Sequence, residues 1–499
     1  MDDTSAYVRG PDFAVVYLLG DKFASSWTQD RTLHKENSHS DAQPVSAQRV
    51  PLNSPFERTV LAGRSIYYGA LLYLGHLTSY FWLSVFLQAA IFIYLTYIFT
   101  IKCAGLSFSK FVGVVSLVLI VTPASFFISF LMPDIFASFL ILSAIILVGF
   151  WHKLRLHDKI CVLAIPLLSV LFHTSHLLLL GFIELALAGM YLIKRRTDFA
   201  RMIFAPVLCL MAIIVLGIVG ELGFSYATKL VVGVEPTRPP FLMARIIDDG
   251  PGYRFLKMNC PDKRYTACNY IDRLPTTAED FLWSLDRSKG VYNLADVPTR
   301  KALASEQTSF VVDVFKSDPV GVITAAMKNT ANQLLKVDLG QFFHTPAELE
   351  AYKQFLPEYY FDKMLHSRAV EEVTIVGPLS AWFSIVYYLS IIALILTFAF
   401  WPRVNFKDKS LLFPQPQWLL VLSIACLGVV FNAAICGALS TPSARYQARV
   451  SWIPLFILLV MLAKLWGLFL RRRTVGLSFW GTEIMDKPLK TPRRIVMDS

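Results

Sequence analysis

Long apolar runs are the feature of this 499-residue chain that most restricts its fold. A helix rises about 1.5 Å per residue, so roughly 20 apolar residues cross the hydrocarbon of a bilayer. Charged residues make up only 17% of the chain, below the roughly 25% of soluble proteins. The sequence therefore predicts an all-α polytopic membrane protein. Seven runs are long enough to span, near residues 80–101, 111–131, 135–151, 202–222, 379–401, 418–438 and 451–470.

The apolar stretch 160–193 is ambiguous because the sequence HTSH interrupts it at residues 173–176. It fits either two short spans joined by a turn or one long broken helix. Lys and Arg crowd one set of connections and the C-terminal tail, whereas the opposite short loops hold only Arg445 and Arg449. Only two spans preserve this alternation, so we predict about nine transmembrane helices with the basic side and the C-terminus in the cytoplasm.

Nine spans place the N-terminus outside, together with two large segments. No signal sequence precedes the polar residues at the start of the chain, although they must be translocated. We therefore expect a tenth, N-terminal helix that is missing from this chain; the alternative is that the span near residue 80 carries the polar segment across. The predicted regions are a first outer loop with interfacial helices at 1–78, an N-terminal transmembrane bundle at 79–222, a mainly helical soluble loop domain at 223–378, C-terminal transmembrane helices at 379–470 and a cytoplasmic basic tail at 471–499.

The cysteines and the charge indicate the compartment. Cys260 and Cys268, in CPDKRYTAC, are the pair in the second outer segment. They could form a disulfide in an oxidising compartment such as a periplasm, or they are two independent thiols. The net charge of +11 is distributed between apolar runs, as topology determinants are, so we expect no nucleic acid partner. The inner (plasma) membrane of a bacterium is the expected location.

Acidic residues at the outer ends of the spans are candidates for chemistry, because polar groups at a membrane boundary are costly unless they have a role. Asp2 and Asp3 open the first outer loop, and Asp134 lies in LMPDIF between two closely spaced runs. Any of the three could act as a general base. For Asp134 the alternative role is the N-cap of the following span.

Basic residues at the same predicted face are the second group of candidates. His173 and His176 are three residues apart and could bind a metal or a phosphate, or they are polar residues of an interfacial turn. Arg445 and Arg449, in STPSARYQARVSWIP, are four apart and share a face if they are helical, with Tyr446 beside them. They could hold a lipid phosphate, or they are a snorkelling pair that contacts bulk lipid.

The order and sidedness of these motifs resemble the GT-C superfamily of integral-membrane glycosyltransferases. MDDTSAYVRG through GRSIYYGALLYL is similar to the first outer loop of that family, LMPDIF to its second acidic site, and SARYQARVSWIP to its late Arg-Tyr segment. The resemblance implies transfer of a sugar from a polyprenyl-phosphate donor at the outer face. It implies that Asp2 or Asp3 is the base, that Asp134 supports it and that Arg445, Tyr446 and Arg449 hold the donor phosphate.

The expected partners are a polyprenyl-phosphate sugar donor, a glycan, lipid or protein acceptor, and membrane lipids. The motifs specify no cofactor, and they leave a divalent cation open without indicating a metal site. Two other functions fit a chain of this kind. An O-antigen-type polysaccharide polymerase or ligase would place its chemistry in the second outer segment, at residues such as Arg238, Arg245 and Arg254. A multi-span transporter would show internal repeats, which the sequence does not display.

Overall fold

The computed structural model of the chain describes residues 2–23, 25, 27, 59–262, 265–353, 356–400 and 415–482. These residues form helices and no strand. In chain order the α-helices are α1 Asp2–Leu19, α2 Ile66–Ser79, α3 Trp82–Tyr97, α4 Phe108–Val121, α5 Ala124–Ser129, α6 Ile135–Phe150, α7 Leu156–Phe172, α8 Thr174–Lys194, α9 Asp198–Val232, α10 Phe241–Asp248, α11 Pro251–Asn259, α12 Ala278–Trp283, α13 Val297–Ser317, α14 Pro319–Leu335, α15 Pro346–Tyr352, α16 Glu358–Leu365, α17 Arg368–Glu371, α18 Val376–Phe400, α19 Gln415–Ala438, α20 Ala444–Ala448 and α21 Trp452–Thr482.

Seven helical stretches in the described part of the chain are long and apolar enough to cross a membrane, which indicates an integral membrane protein. The all-helical prediction is confirmed for these residues. The count of nine spans stays a prediction, because two of the expected spans form shorter helices. The seven stretches are Trp82–Cys103, Ile135–Lys153, Thr174–Lys194, Asp198–Val232, Val373–Phe400, Gln417–Ala438 and Ala444–Gly467.

The helices in the runs 111–131 and 160–193 are shorter for two different reasons. The run at 111–131 does not form one span, because α4 ends at Val121 and a separate helix, α5, begins after Pro123. Proline lacks the N–H that would continue the helical hydrogen bonds, and its ring clashes with the preceding turn. The stretch 160–193 divides into α7 and α8 at His173, whose extended backbone (φ −155°, ψ 129°) ends the first helix.

The helix α9 is longer than the run that predicted it. Its 35 residues correspond to about 52 Å, well beyond the hydrocarbon thickness. The helix therefore continues past the predicted boundary at residue 222 and ends at Val232, before Gly233, which takes the left-handed conformation. At the other side of the predicted loop domain, the apolar stretch begins at Val373 rather than at residue 379.

Residues between these two helices have a hydrophobic core of their own, formed by side chains from Met243 to Val314. Cys260 and Cys268 are joined by a disulfide with their Cα atoms 5.2 Å apart. The two predicted outer segments also meet, because the Thr237 N–H donates to the carbonyl of Val60 at 2.8 Å and the Ala62 N–H donates to the carbonyl of Thr237 at 3.0 Å.

The helix α14 attaches this region to the apolar bundle. The side-chain amide of Gln333 donates to the carbonyl of Ser443 at 2.8 Å, and its oxygen accepts from the Ser443 N–H at 2.8 Å. A Cβ atom on Gly437 in α19 would lie 2.5 Å from the carbonyl oxygen of Asn329. The glycine is therefore what permits α14 to approach α19 this closely.

The ends of the apolar helices fall into two groups. Asp134, His173 and Ser443 each precede a helix at one end of the bundle, which we call the Asp134 end. At the opposite end, Lys102 pairs with Asp158 at 2.6 Å, and Lys464 donates to the carbonyl of Ala104 at 2.9 Å. The 16 residues of α6 separate the two ends by about 24 Å.

Candidate functional site

The structure brings Asp134 together with both arginines of the late motif. Asp134 is 3% exposed and lies at the start of α6. Its Oδ1 atom is 3.3 Å from Nη1 of Arg449 and 3.6 Å from Nε of Arg445. Asp134 makes no side-chain hydrogen bond to the first turn of α6. Asp134 thus occupies the N-cap position of α6, but its carboxylate faces the two guanidinium groups instead of capping the helix.

All three guanidinium nitrogens of Arg449 contact other buried side chains. Its Nη2 donates to Oδ1 of Asn432 at 2.9 Å and approaches Sγ of Cys436 at 3.3 Å, while Nη1 faces Asp134. The residue is 2% exposed. An arginine that snorkels to bulk lipid keeps its guanidinium accessible, so the snorkelling alternative is wrong for Arg449.

Tyr446 lies between the two arginines and orders them. The guanidinium carbon of Arg445 is 5.1 Å from the centre of the Tyr446 ring, and that of Arg449 is 5.2 Å away. Both distances fall within the range of cation–π attraction. The side chain of Arg445 is 13% exposed, against 2% for Arg449. Arg445 is therefore the more accessible of the two cations.

The histidine pair lies next to this cluster. The ring centres of His173 and His176 are 5.2 Å apart, and Nδ1 of His176 is 2.9 Å from the carbonyl oxygen of Ser169. Burial lowers the pKa of His173 well below its usual value, and the positive charge of Arg449 lowers it further. His173 is thus neutral at neutral pH. Among the described residues no group of three or more His, Cys, Asp or Glu side chains is placed to hold a metal ion.

The first helix starts beside Asp134. Thr4 donates its hydroxyl to the carbonyl of Leu131 at 3.1 Å, three residues before Asp134. Asp2 and Asp3 form the first turn of this helix, α1, and their side chains lie outside the described part of the structure. The backbone of α1 therefore brings the predicted base to the Asp134 end of the bundle.

Tyr7 and Arg64 complete the site from the first outer segment. The guanidinium carbon of Arg64 lies 5.7 Å from the centre of the Tyr7 ring. Tyr7 is 2% exposed, and its ring meets that of Tyr68 edge-on with centres 5.3 Å apart. Burial raises the pKa of Tyr7, and the charge of Asp134 raises it further. Tyr7 is therefore a neutral phenol close to the Asp134 carboxylate.

An apolar cavity of about 190 Å³ adjoins Tyr7 and Arg64. Its walls come from α1, from residues 60–66 and from the last two turns of α9. Ala14, Leu61 and Val231 are representative of the lining, and Arg64 supplies the cation at its edge. The cavity can take an apolar chain whose charged end faces the arginines.

Sequence reasoning missed several of these residues. Asn432 carries the clearest signal, because an amide within the apolar run 418–438 must find a polar partner. Gln447 donates to the hydroxyl of Tyr387 at 2.8 Å, and it lies within the quoted late motif. Tyr7 and Arg64 lie in the two first-loop motifs, but nothing in their spacing indicates that they meet.

Glu279 of α12, in the second segment, is close enough to Arg445 and Arg64 for their charges to affect it. Burial raises the pKa of Glu279, while the charges of Arg445 and Arg64 lower it. The arginines of the polymerase or ligase alternative are each ion-paired instead: Arg238 with Glu221 at 3.2 Å, Arg245 with Asp248 at 3.1 Å, and Arg254 with Asp318 at 2.6 Å. Comparison of the chain with protein-family models, with curated proteins and with solved structures found no match.

Proposed function

We propose that this protein is a membrane glycosyltransferase of the GT-C type, which moves a sugar from a polyprenyl-phosphate donor to an acceptor at the outer face of the membrane. One observation carries the proposal. The partly accessible guanidinium of Arg445 lies beside the enclosed Asp134–Arg449 ion pair, and an apolar cavity edged by Arg64 opens at the same end of the bundle.

Arg445 is suited to bind the donor phosphate. A guanidinium presents a planar fork of donors that matches phosphate oxygens. The contact with Asp134 and the ring of Tyr446 fix its position before a ligand arrives. A preorganised cation of this kind stabilises charge that develops on a leaving phosphate. Arg449, whose polar atoms contact other side chains, positions Asp134 and Tyr446 rather than the substrate.

Asp2 or Asp3 is the proposed general base. Asp134 is less suited to that role because its Oδ1 atom faces two guanidinium groups. The base takes the proton of the acceptor hydroxyl, and the acceptor oxygen forms a bond to the anomeric carbon of the sugar. The bond between that carbon and the phosphate oxygen breaks at the same time. The polyprenyl phosphate leaves with the electron pair, next to Arg445.

The cavity supports a lipid donor rather than a soluble one. Its lining is mostly aliphatic and aromatic. Arg64 and Tyr7 line the part of the cavity that is nearest to Arg445 and Arg449. A prenyl chain fills an apolar cavity because transfer from water is favourable in proportion to the apolar area buried. The phosphate at its end then meets Arg64 and Arg445, which is the arrangement that a lipid-linked sugar requires.

Binding tests the first half of the proposal. The full chain in detergent is titrated with polyprenyl phosphate and with the matching polyprenol, and the unfolding temperature is recorded. We expect the phosphate to stabilise the protein more than the alcohol does. Loss of one charged hydrogen bond in Arg445→Gln weakens phosphate binding by about tenfold to a hundredfold. Arg238→Gln, which removes a 46% exposed arginine paired with Glu221, is the matched control.

Transfer tests the second half. Membranes that contain the protein are supplied with a panel of polyprenyl-phosphate hexoses, and release of polyprenyl phosphate is measured. We expect release with at least one sugar, and loss of release in the Asp2→Asn, Asp3→Asn double variant. Equal binding of phosphate and alcohol, or release that is unchanged in the double variant, would contradict the proposal.

A further inference from the structure

Four lysines converge at the end of the bundle opposite Asp134. Lys102 and Lys110 flank the end of the first apolar span, Lys153 follows α6, and Lys464 lies in the last span. We call these four residues the lysine cluster. The proposed transfer reaction does not use this end of the bundle, and the positive-inside rule accounts for the charge of the cluster but not for its geometry.

Backbone carbonyls hold three of the four ammonium groups in place. Lys153 donates to the carbonyl of Cys103 at 2.8 Å, and Lys464 donates to that of the next residue, Ala104, at 2.9 Å. Lys110 donates to the carbonyl of Ala463 at 2.9 Å. The carbonyls of Cys103 and Ala104 are consecutive in the chain, so the ammonium groups of Lys153 and Lys464 lie close together despite their mutual repulsion.

Among the contacts that the structure describes, positive charge at the cluster exceeds negative charge. Lys102 pairs with Asp158 at 2.6 Å, and the hydrogen bonds just described for the other three lysines are to neutral carbonyl oxygens. An anion is therefore the ligand that matches this end of the bundle.

Two buried aromatic rings contact ammonium groups of the lysine cluster, and one exposed tryptophan supports a position at the level of lipid headgroups. The ammonium of Lys464 lies 5.6 Å from the ring centre of Trp418, and that of Lys153 lies 5.3 Å from the ring centre of Phe150. The side chain of Trp466 is 61% exposed at the same end. Tryptophan is enriched where hydrocarbon meets headgroup. The anion that a membrane presents at this depth is the phosphate of an acidic phospholipid.

We propose that the lysine cluster binds the headgroup phosphate of an anionic phospholipid. The carbonyl hydrogen bonds orient the ammonium groups, and further N–H groups of Lys110 and Lys153 reach the phosphate oxygens, because each ammonium carries three N–H groups. A zwitterionic lipid binds less well, since its own cation faces the lysines. The inference does not depend on the proposed transferase activity, because no residue of the Asp134 site takes part.

The test uses the full chain in nanodiscs of phosphatidylcholine, with and without phosphatidylglycerol. We expect phosphatidylglycerol to raise the unfolding temperature and to slow amide hydrogen exchange in residues 98–110 and 151–160. Each Lys→Gln change at Lys110 or Lys153 lowers the affinity for phosphatidylglycerol by about fivefold. Lys153→Arg retains the charge and keeps most of the effect. Lys194→Gln, an exposed lysine outside the cluster, is the matched control.

Three results would overturn the proposal. The first is an equal loss of affinity in Lys194→Gln and Lys153→Gln, because this would indicate attraction to surface charge in general. The second is equal stabilisation by inorganic phosphate added to phosphatidylcholine nanodiscs, because the ligand would then be a free anion. The third is amide hydrogen exchange in residues 98–110 of the unmodified protein that does not change when phosphatidylglycerol is added. This measurement stays informative even if a lysine variant does not fold.

Discussion

Arg449 and Asp134 are 315 residues apart in the chain, yet their side chains are 3.3 Å apart and almost fully excluded from solvent. Asp134 precedes α6, and Arg449 precedes α21, so the ion pair joins the starts of two apolar helices. A charge buried in this way is stable only with its partner and with hydrogen bonds to its remaining polar atoms. Asn432 supplies those hydrogen bonds to Arg449.

Asp134→Asn is expected to destabilise the protein strongly. Removal of one partner leaves a buried charge without compensation, and such changes cost about 3–5 kcal/mol. The free energy of unfolding, measured by denaturant titration in detergent, gives the size of the loss. Arg238→Gln is the control, because the Arg238–Glu221 pair is 46% and 29% exposed and an exposed pair contributes about 1 kcal/mol or less.

The double variant Asp134→Asn, Arg449→Gln tests the reason for that loss. Two neutral amides remove both charges of the pair, so we expect the double variant to be more stable than the sum of the two single variants implies. Additive losses would show that the two side chains contribute independently, and the ion pair would then not be the cause.

Arg445 and Arg449 are expected to respond differently to substitution. Arg445→Gln changes a 13% exposed residue, so it should raise KM for the lipid donor by about tenfold or more with little loss of stability. Arg449→Gln removes the hydrogen bonds to Asn432, so its main effect should be a lower unfolding temperature rather than a higher KM. Steady-state kinetics and thermal unfolding of both variants separate the two effects. Equal changes in KM and stability for both variants would contradict this division of roles.

Tyr446 is expected to act more through its ring than through the hydrogen bond between its hydroxyl and Arg445. Both guanidinium groups lie within 5.2 Å of the ring centre, and each partly buried cation–π contact contributes about 0.5–2 kcal/mol. Tyr446→Phe should therefore retain most of the stability, whereas Tyr446→Leu should lose about 1–3 kcal/mol, in the range of a buried aromatic substitution. Thermal unfolding of the two variants checks this. A larger loss of stability in Tyr446→Phe than in Tyr446→Leu would show that the hydroxyl, and not the ring, is responsible.

The stability of the protein should fall as the pH decreases below about 6.5, the usual pKa of histidine. Burial and the charges of Arg449, Arg64 and Arg445 lower the pKa of His173 in the folded state. The unfolded chain then binds a proton that the folded protein rejects, so this contribution is complete above the unfolded pKa and is lost as the pH falls. His173→Asn should flatten the dependence of unfolding temperature on pH. His366→Asn, at a side chain 70% exposed, should leave it unchanged.

The sequence was most informative where a residue had to satisfy a local rule. The apolar runs predicted most of the long helices, and the observed N-caps Asp318 and Thr345, each followed by a proline, obey the same kind of local rule. Arg445 and Arg449 were identified because they are basic residues at the side of the membrane where such residues are rare. Each of these signals depends only on residues close together in the chain.

Long-range contacts could not be predicted in the same way. The sequence does not show that Asp134 meets Arg449, that Thr4 reaches Leu131, or that Arg64 lies over Tyr7. These contacts depend on how helices pack, and packing depends on the shapes of many side chains together. The prediction of one span at residues 111–131 rested on apolar content alone and did not take Pro123 into account.

The contact between α14 and α19 leads to a final prediction. A Cβ atom at Gly437 would lie 2.5 Å from the carbonyl oxygen of Asn329, so Gly437→Ala must push the two helices apart. We expect a loss of about 1–3 kcal/mol, as for other overpacked sites. Gly113→Ala in α4 is the matched control, because nothing lies within 4 Å of its Cβ position and alanine favours a helix by up to about 1 kcal/mol.

Thermal unfolding of the two glycine variants tests this contact, and proteolysis with a soluble protease reports where it acts. If α14 holds residues 241–335 against the bundle, Gly437→Ala should increase cleavage in that region, while Gly113→Ala should not. Gln333→Ala, which removes the paired hydrogen bonds to Ser443, should increase cleavage in the same region. Equal cleavage of Gly437→Ala and the unmodified protein would mean that other contacts, such as the hydrogen bond from Tyr388 to the carbonyl of Leu335, are enough to hold the region in place.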